Sequence, residues 1–225
     1  MKLLIFDLDE TMASGGAGVG FIEYAHRSNY LSTQIYRAFM NSYDISLKGR
    51  DHYTKEDDIQ IKGAIFKALD ASPVGARGVA DEFVALHGEE CINPAIKELA
   101  LRELQQTGAR LVIASGSPDY LLEAFGSVFP EGTKLIGAPW HSPGFDVGKL
   151  INLEKAGIDL TEVALAASDS INDLPLMKLG AKTGRAWVVS RSESDEKLIR
   201  WGVEQNAKTQ NVFLVDHNSG RVSSF

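Results

Sequence analysis

The chain has 225 residues, 44% of them hydrophobic and 24% charged, with a formal net charge of -7 and a pI near 5.3. That length and apolar content suit one sizeable core plus a smaller inserted or appended unit, and exclude a disordered chain. The acidic balance, with no long run of Lys or Arg, excludes a polyanion-binding surface, so neither nucleic acid nor an anionic membrane is expected as a partner.

The first segment, LLIFDLDET over Leu3 to Thr11, sets four large apolar residues before two carboxylates. Residues 3 to 8 read as a buried strand, with Asp7 near its carboxyl end and Asp9 just beyond. Asp7 and Asp9 cut the opening apolar run too short for a signal peptide, and no stretch reaches the roughly 18 apolar residues of a membrane span. Residues i and i+2 of an extended chain point to one side, so both acids can meet one reacting centre. Two close carboxylates repel, and a divalent cation relieves that repulsion; hard oxygen ligands favour Mg2+. The plainer alternative is a strand ending in a solvated turn, with Asp9 and Thr11 as local caps.

Residues 14 to 93 break the rhythm of the rest. Ser14 to Gly20 is glycine-rich, but it does not match G-x-G-x-x-G and no clean helix is expected to open on it, so it reads as a flexible entry rather than a dinucleotide loop. Ile35, Tyr36, Phe39, Met40 and Tyr43 recur at helical spacing, as do Ile61, Ile65 and Leu69 in a segment that Thr54 and Asp57 can cap. This block is expected to be all-helical and inserted, returning to the core near 88 to 93. Its polar candidates for reading a substrate are Glu23, His26, Arg27, Arg37, Lys48, Arg50 and His52, although Glu23 and Arg27 are equally a surface i, i+4 pair. Cys91 is the single cysteine, has no partner for a disulfide or metal site, and fits a reducing cytoplasm.

From Pro94 onward helix and strand alternate. A helix is predicted over 94–107, from Pro94 to a C-cap at Gly108. Strands are predicted at 110–114, 134–138, 163–167, 186–189 and 211–215. Runs apolar on both faces imply a covered parallel sheet, hence an α/β doubly wound core whose binding residues gather at the carboxyl ends of the strands. The second strand leads into Ser115-Gly116-Ser117-Pro118; Ser117 suits an N-cap and Pro118 the first helical position, so Ser115 and the Gly116 N–H could receive a phosphate. Lys149, near the start of a predicted helix closed by Gly157, is better placed to reach a phosphoryl oxygen than Lys134 or Lys155. Asp169 falls at a strand end as Asp7 does, and Asp173 follows four residues later. Trp140 and His141 are expected at the surface or in packing, His217 as structural or solvated, and the last fifteen residues as an edge strand with a polar tail.

In this order, Asp7-x-Asp9-x-Thr11, Ser115, Lys149 and Asp169-x-x-x-Asp173 resemble the four motifs of the haloacid dehalogenase superfamily, over residues 1 to about 190. INPAIKELALRELQQTGARLVIASGSPDYL and SDSINDLPLM look most like its phosphoserine phosphatase-like group. The resemblance implies a Rossmann-like core over 1–13 and 94–225, with a C1-type helical cap over 14–93. It also implies an Mg2+-dependent phosphatase for a small phosphorylated metabolite; the single cysteine and the short apolar runs suit a cytoplasmic protein, and a homodimer is left open. By the same resemblance Asp7 is the nucleophile that forms an aspartyl-phosphate, and Asp9 the general acid and base. Thr11 steadies Asp9 and the phosphate loop, while Ser115, Gly116 and Lys149 hold the phosphoryl group. Asp7, the Asp9 carbonyl, Asp169 and Asp173 attend the metal. The sequence departs from the pattern at Ser168, where the fourth motif often has Gly, which tightens the loop and leaves both acids in place. Asp9 disfavours carbon–halogen chemistry, which needs no acid there. A phosphotransferase of the same fold, or a receiver-like module that only accepts or binds phosphate, remain the alternative readings.

Overall fold

The computed structural model describes residues 1–48, 54–141, 146–191 and 196–225. Its centre is β1 (Leu3–Phe6), every residue of which is buried. Leu4 and Phe6 face one hydrophobic cluster and Leu3 and Ile5 the other, so the period-two alternation of a strand feeds two cores, one on each side of the sheet. Burying each such side chain contributes roughly 1.5–3 kcal/mol.

Around β1 lie β2 (Arg110–Pro118), β3 (Lys134–Ala138), β4 (Val163–Ser168), β5 (Arg185–Ser190), β6 (Val212–Asp216) and β7 (Val222–Ser224). Their order is β3-β2-β1-β4-β5-β6-β7, parallel throughout except for β7. The reversal of direction on either side of β1 makes a switch point where ligands settle in doubly wound sheets. One face carries α5 (Pro94–Thr107) and α6 (Asp119–Ala124). The other carries α7 (Val147–Lys155), α8 (Leu174–Thr183) and α9 (Glu196–Thr209) through Leu153, Met177 and Leu198. α5 begins and ends as its sequence predicts: the Asn93 side chain accepts the Ala95 and Ile96 N–H groups, and Gly108 takes the left-handed conformation at φ 63°.

Between β1 and α5 the described residues form four α-helices, α1 (Ala17–Arg27), α2 (Thr33–Lys48), α3 (Lys55–Asp70) and α4 (Gly75–Cys91). α3 opens with the capping box of Thr54 and Asp57. The chain leaves and re-enters side by side, with Ala13 bridged to Ile92, the Ser14 N–H on the Cys91 carbonyl and the Asn93 N–H on the Met12 carbonyl, both at 2.8 Å. Phe21, Val79 and Phe83 of this insertion join the same cluster as Tyr120 and Phe125 of the sheet-covering layer.

Three expectations change. The glycine-rich run is loop only from Ser14 to Gly16, and α1 opens directly on it. Gly18 and Gly20 lie within the helix; a Cβ on Gly18 would stand 2.7 Å from Ser117 Oγ, while one on Gly20 would make only ordinary contact with Phe83. β2 runs on through Pro118, which pairs with Ala138, so α6 starts at Asp119 and Ser117 is extended rather than an N-cap. The last fifteen residues form two strands rather than an edge strand and a polar tail: the chain turns at Asp216 to Gly220, with the Asp216 carboxylate accepting the Ser219 N–H and Gly220 at φ 63°, and β7 takes the edge. Among the described residues no helix is long and apolar enough to cross a membrane.

Candidate active site

The carboxyl ends of β2, β1, β4 and β5 are neighbours in the sheet. Adjacent strands lie about 4.8 Å apart, so side chains that follow them share a small volume. Asp7 follows β1 directly and is buried, its N–H on the Ala167 carbonyl of β4 at 3.0 Å. The chain then makes a tight irregular turn over Leu8–Met12, with Glu10 at φ 62°. That turn carries Asp9 to the end of β2. Asp9 Oδ2 receives the hydroxyls of Ser115 at 2.8 Å and Ser117 at 2.7 Å, and Oδ1 receives the Gly18 N–H from the first turn of α1 at 2.9 Å. The Ser115 oxygen in turn accepts the Ser117 N–H.

Lys149, only 4% exposed, reaches from α7 to Asp7 Oδ1 and Asp173 Oδ2, 2.7 Å from each. Its rivals are elsewhere: Lys134 donates to the Ala156 carbonyl and Lys155 is exposed at the end of α7. Burial works against the Lys149 ammonium, but the attraction of Asp173 and Asp7 outweighs it and raises its pKa, so the ammonium persists. Asp7 is held well above the usual carboxylate range, chiefly by burial; Lys149 pulls it down, while Asp173, Asp169 and Asp9 push it up. Asp169 is likewise raised, to about 7, by burial first and by Glu10 and Asp173, against the bond from Thr11 and the charge of Arg191.

Thr11 corrects its expected role. It is fully buried and does not touch Asp9 in any described contact; its hydroxyl donates to Asp169 Oδ1 at 2.8 Å and accepts the Asp169 N–H at 3.0 Å, pinning the turn after β1 to the end of β4. The reason is register: the sheet puts β4 beside β1, and Asp9 has swung toward β2. Gly116 is half-buried in extended β2, not at a helix start.

Several contacts lie outside the sequence-based set. Arg191 follows β5 and bonds Glu10, with its Nη2 3.6 Å from Asp169 Oδ2. Tyr43 of α2 meets Glu10 Oε1 at 3.5 Å, and burial with that carboxylate pushes its phenol up to about 12. The strand-end logic that finds Asp7 and Asp169 would also find Arg191, since it follows the apolar run 186–189. Glu10, Ser117 and Gly18 carry no such signal. Of the polar candidates in the insertion, Glu23 and Arg27 pair on an exposed helix face, His26 meets the Leu31 carbonyl and stacks on Tyr36, and Arg37 is exposed. Arg50, His52 and the Lys48 side chain lie outside the described residues. Trp140 stacks on Phe66 of α3, and His217 is buried against Asn93.

The donor set suits a hard cation: carboxylates gathered on neighbouring strand ends, of which Asp7 and Asp169 are raised chiefly by burial and further by their acidic neighbours. Lys149, Thr11, Ser115 and Ser117 each engage an oxygen of these acids. Mg2+, which keeps several waters and needs only one or two carboxylates, is one such hard cation.

A phosphoserine phosphatase structure is similar at 15% identity and a TM-score of 0.48, over 84% of this chain and 86% of that one. A cytosolic 5'-nucleotidase IIIB bound to cytidine is nearer in shape, with a TM-score of 0.58 at 12% identity over 96% of this chain and 81% of the other. A protein of unknown function from Bordetella pertussis Tohama I has a TM-score of 0.70 at 18% identity, over 96% and 99% of the two chains. At these identities the two likenesses with TM-scores of 0.58 and 0.70 speak to fold alone. No curated protein matches the sequence closely. The sequence does match the family model of haloacid dehalogenase-like hydrolases over residues 4–178, a span that runs from β1 into α8 and contains Asp7, Asp9, Lys149, Asp169 and Asp173. The chain belongs to the haloacid dehalogenase-like hydrolases.

Proposed function

We propose that the protein is an Mg2+-dependent phosphomonoesterase that hydrolyses a small phosphorylated metabolite through an aspartyl-phosphate on Asp7. The observation that carries this reading is the pairing of two differently treated acids two residues apart: Asp7 lies against the Lys149 ammonium at 2.7 Å, while Asp9 is cradled by Ser115, Ser117 and the Gly18 N–H. Different environments for neighbouring acids divide the work between nucleophile and proton carrier.

In the first step a carboxylate oxygen of Asp7 bonds to phosphorus as the bond to the leaving oxygen breaks, and that oxygen takes the proton of Asp9. In the second step water attacks phosphorus, gives its proton to Asp9, and the bond to Asp7 breaks. Lys149, which bridges Asp7 and Asp173, faces the equatorial phosphoryl charge; the Gly116 N–H, and the Ser115 hydroxyl once it turns from Asp9, supply further donors. The Asp7 carboxylate, the Asp9 carbonyl, Asp169 and Asp173 are the groups that would hold Mg2+. When bound, the cation supplies charge that keeps the crowded acids ionised and screens phosphate from the nucleophile.

We read 1–13 and 94–225 as the core and 14–93 as a cap. Support for the cap comes from the adjoining chain crossings at Ala13 and Ile92, which make a natural hinge, and from Gly18 and Tyr43, which bring the insertion to Asp9 and Glu10. The half-buried free thiol of Cys91 suits a cytoplasmic setting.

The test is phosphate release from a panel of phosphorylated metabolites and an aryl phosphate, with Mg2+ or EDTA, for wild type and Asp7→Asn. Release that needs Mg2+ and vanishes in Asp7→Asn supports the phosphatase. No release, together with a long-lived adduct on Asp7 after acetyl phosphate treatment, would replace it with a phosphate-accepting module.

A further inference from the structure

β4 delivers three polar side chains to the site, and the hydrolytic reading uses only those that follow it. Ser168, the last residue of the strand, is fully buried. Its hydroxyl donates to Asp173 Oδ2 at 2.8 Å and accepts the Ser170 N–H at 3.2 Å. A serine hydroxyl has a single proton and can rotate. With the Ser170 N–H on its oxygen, the proton is aimed at Asp173.

The oxygen that receives it is the one Lys149 already holds at 2.7 Å. Lys149 gives its next bond to Asp7 Oδ1, also at 2.7 Å. A continuous line of hydrogen bonds therefore runs from Ser168 through Asp173 and Lys149 to the nucleophile. Each member is buried, so each bond acts where the local dielectric is low and a misplaced charge is costly. The two charged side chains cannot fix each other well by themselves. Lys149 has a flexible four-carbon stem and three rotatable donors, and Asp173 closes an irregular turn over Ile171–Asp173. Ser168, by contrast, is anchored to the sheet through β4, which pairs with β1 on one side and β5 on the other.

We propose that Ser168 is a positioning residue: its hydroxyl locks the Asp173 carboxylate so that Oδ2 is committed to Lys149 and Oδ1 is left for the cation or its waters. Ser168 thereby sets both the place of the ammonium beside Asp7 and the strength of Mg2+ binding. Glycine or alanine at this position has no such donor. The inference rests on the Mg2+-dependent reading given above.

Mg2+ binding measured by titration calorimetry on the full chain without substrate tests it in wild type, Ser168→Ala, Ser168→Gly and Ser168→Thr. Groups that orient metal ligands are typically worth about 10–100-fold in affinity. Ser168→Ala and Ser168→Gly are expected to weaken Mg2+ binding at least about tenfold, and Ser168→Thr, which keeps the hydroxyl, to stay within about threefold of wild type. In turnover, Ser168→Ala should raise the Mg2+ concentration for half-maximal rate while saturating Mg2+ restores most of kcat. Urea unfolding in EDTA of Ser168→Ala, Asp173→Ala and the double variant supplies a readout that plain packing would not move. The double variant should be little worse than Asp173→Ala alone, because the two side chains share one bond. Strict additivity, or Ser168→Ala binding Mg2+ as wild type does, overturns the role of Ser168 and leaves the phosphatase reading intact. Absence of Mg2+ binding by the wild type overturns both. If Ser168→Thr is too bulky to fold, the Ala and Gly titrations with the unfolding cycle decide the matter.

Discussion

Replacing Lys149 by Met keeps the length of the side chain and removes its charge, leaving Asp7 and Asp173 facing each other without their shared cation. The structure supplies the magnitude. Two bonds of 2.7 Å join a lysine that is 4% exposed to two buried carboxylates. Hydrogen bonds to charged groups contribute about 1.5–3 kcal/mol each. Removing one partner of a buried ion pair costs about 3–5 kcal/mol, mostly because the remaining charge stays buried. Lys149→Met in EDTA should therefore be less stable than wild type by about 3–5 kcal/mol at pH 8. Lys149 is also the charge that pulls the raised Asp7 carboxyl down, so its loss raises Asp7 further. A carboxyl whose folded pKa is raised contributes stability at low pH that is lost as pH rises through that value. The deficit should therefore shrink by at least about 1 kcal/mol between pH 8 and pH 5, since one proton held only by the folded state is worth about 1.4 kcal/mol per pH unit. Urea unfolding followed by the fluorescence of Trp140, Trp187 and Trp201 measures both numbers, and phosphate release should fall at least about a hundredfold. A deficit below 1 kcal/mol, or one equal at the two pH values, would refute the buried-bridge reasoning.

Thr11→Val removes both bonds between the turn after β1 and Asp169; unfolding should show a loss of about 1–3 kcal/mol, with a fold intact by circular dichroism. Gly18→Ala places a Cβ 2.7 Å from Ser117 Oγ, which can rotate away, so stability should hold while Ser117 leaves Asp9. Its kcat should drop about tenfold, equivalent to about 1.4 kcal/mol, and adding Ser117→Ala should cost little more. In the metal-free protein Asp169, raised to about 7, keeps a proton that the unfolded chain has released. Its contribution to stability is complete at pH 4 and below and disappears as pH rises through 7, so the melting temperature in EDTA should fall over that range. Mg2+ should flatten this dependence and release protons on binding at pH 6, measurable in buffers of different ionisation heat.

Much of the core is legible in the chain because its signals are local. The apolar runs from 3–8 to 211–215 become β1 to β6, and Pro94, Asn93 and Gly108 bound α5 by capping chemistry that needs no tertiary partner. The strand-end acids Asp7 and Asp169 are legible for the same reason, since an apolar run that stops at a carboxylate marks a sheet edge. Ser117 is misread as an N-cap because the pairing of Pro118 with Ala138, far away in sequence, keeps it extended.

What the sequence by itself determined is the α/β alternation, the helical character of the insertion, and the order of acids, hydroxyls and lysine along the chain. Periodicity and caps are written in residues a few positions apart. Tertiary structure alone decided which oxygen each donor takes. Strand order placed β4 beside β1 and so gave Thr11 to Asp169, while the return of α1 over the end of β2 brought the Gly18 N–H to Asp9 across nine residues. Arg191 met Glu10 across 181 residues. Such pairings depend on how strands are ordered and helices seated, and close packing selects among side-chain partners only once those surfaces meet.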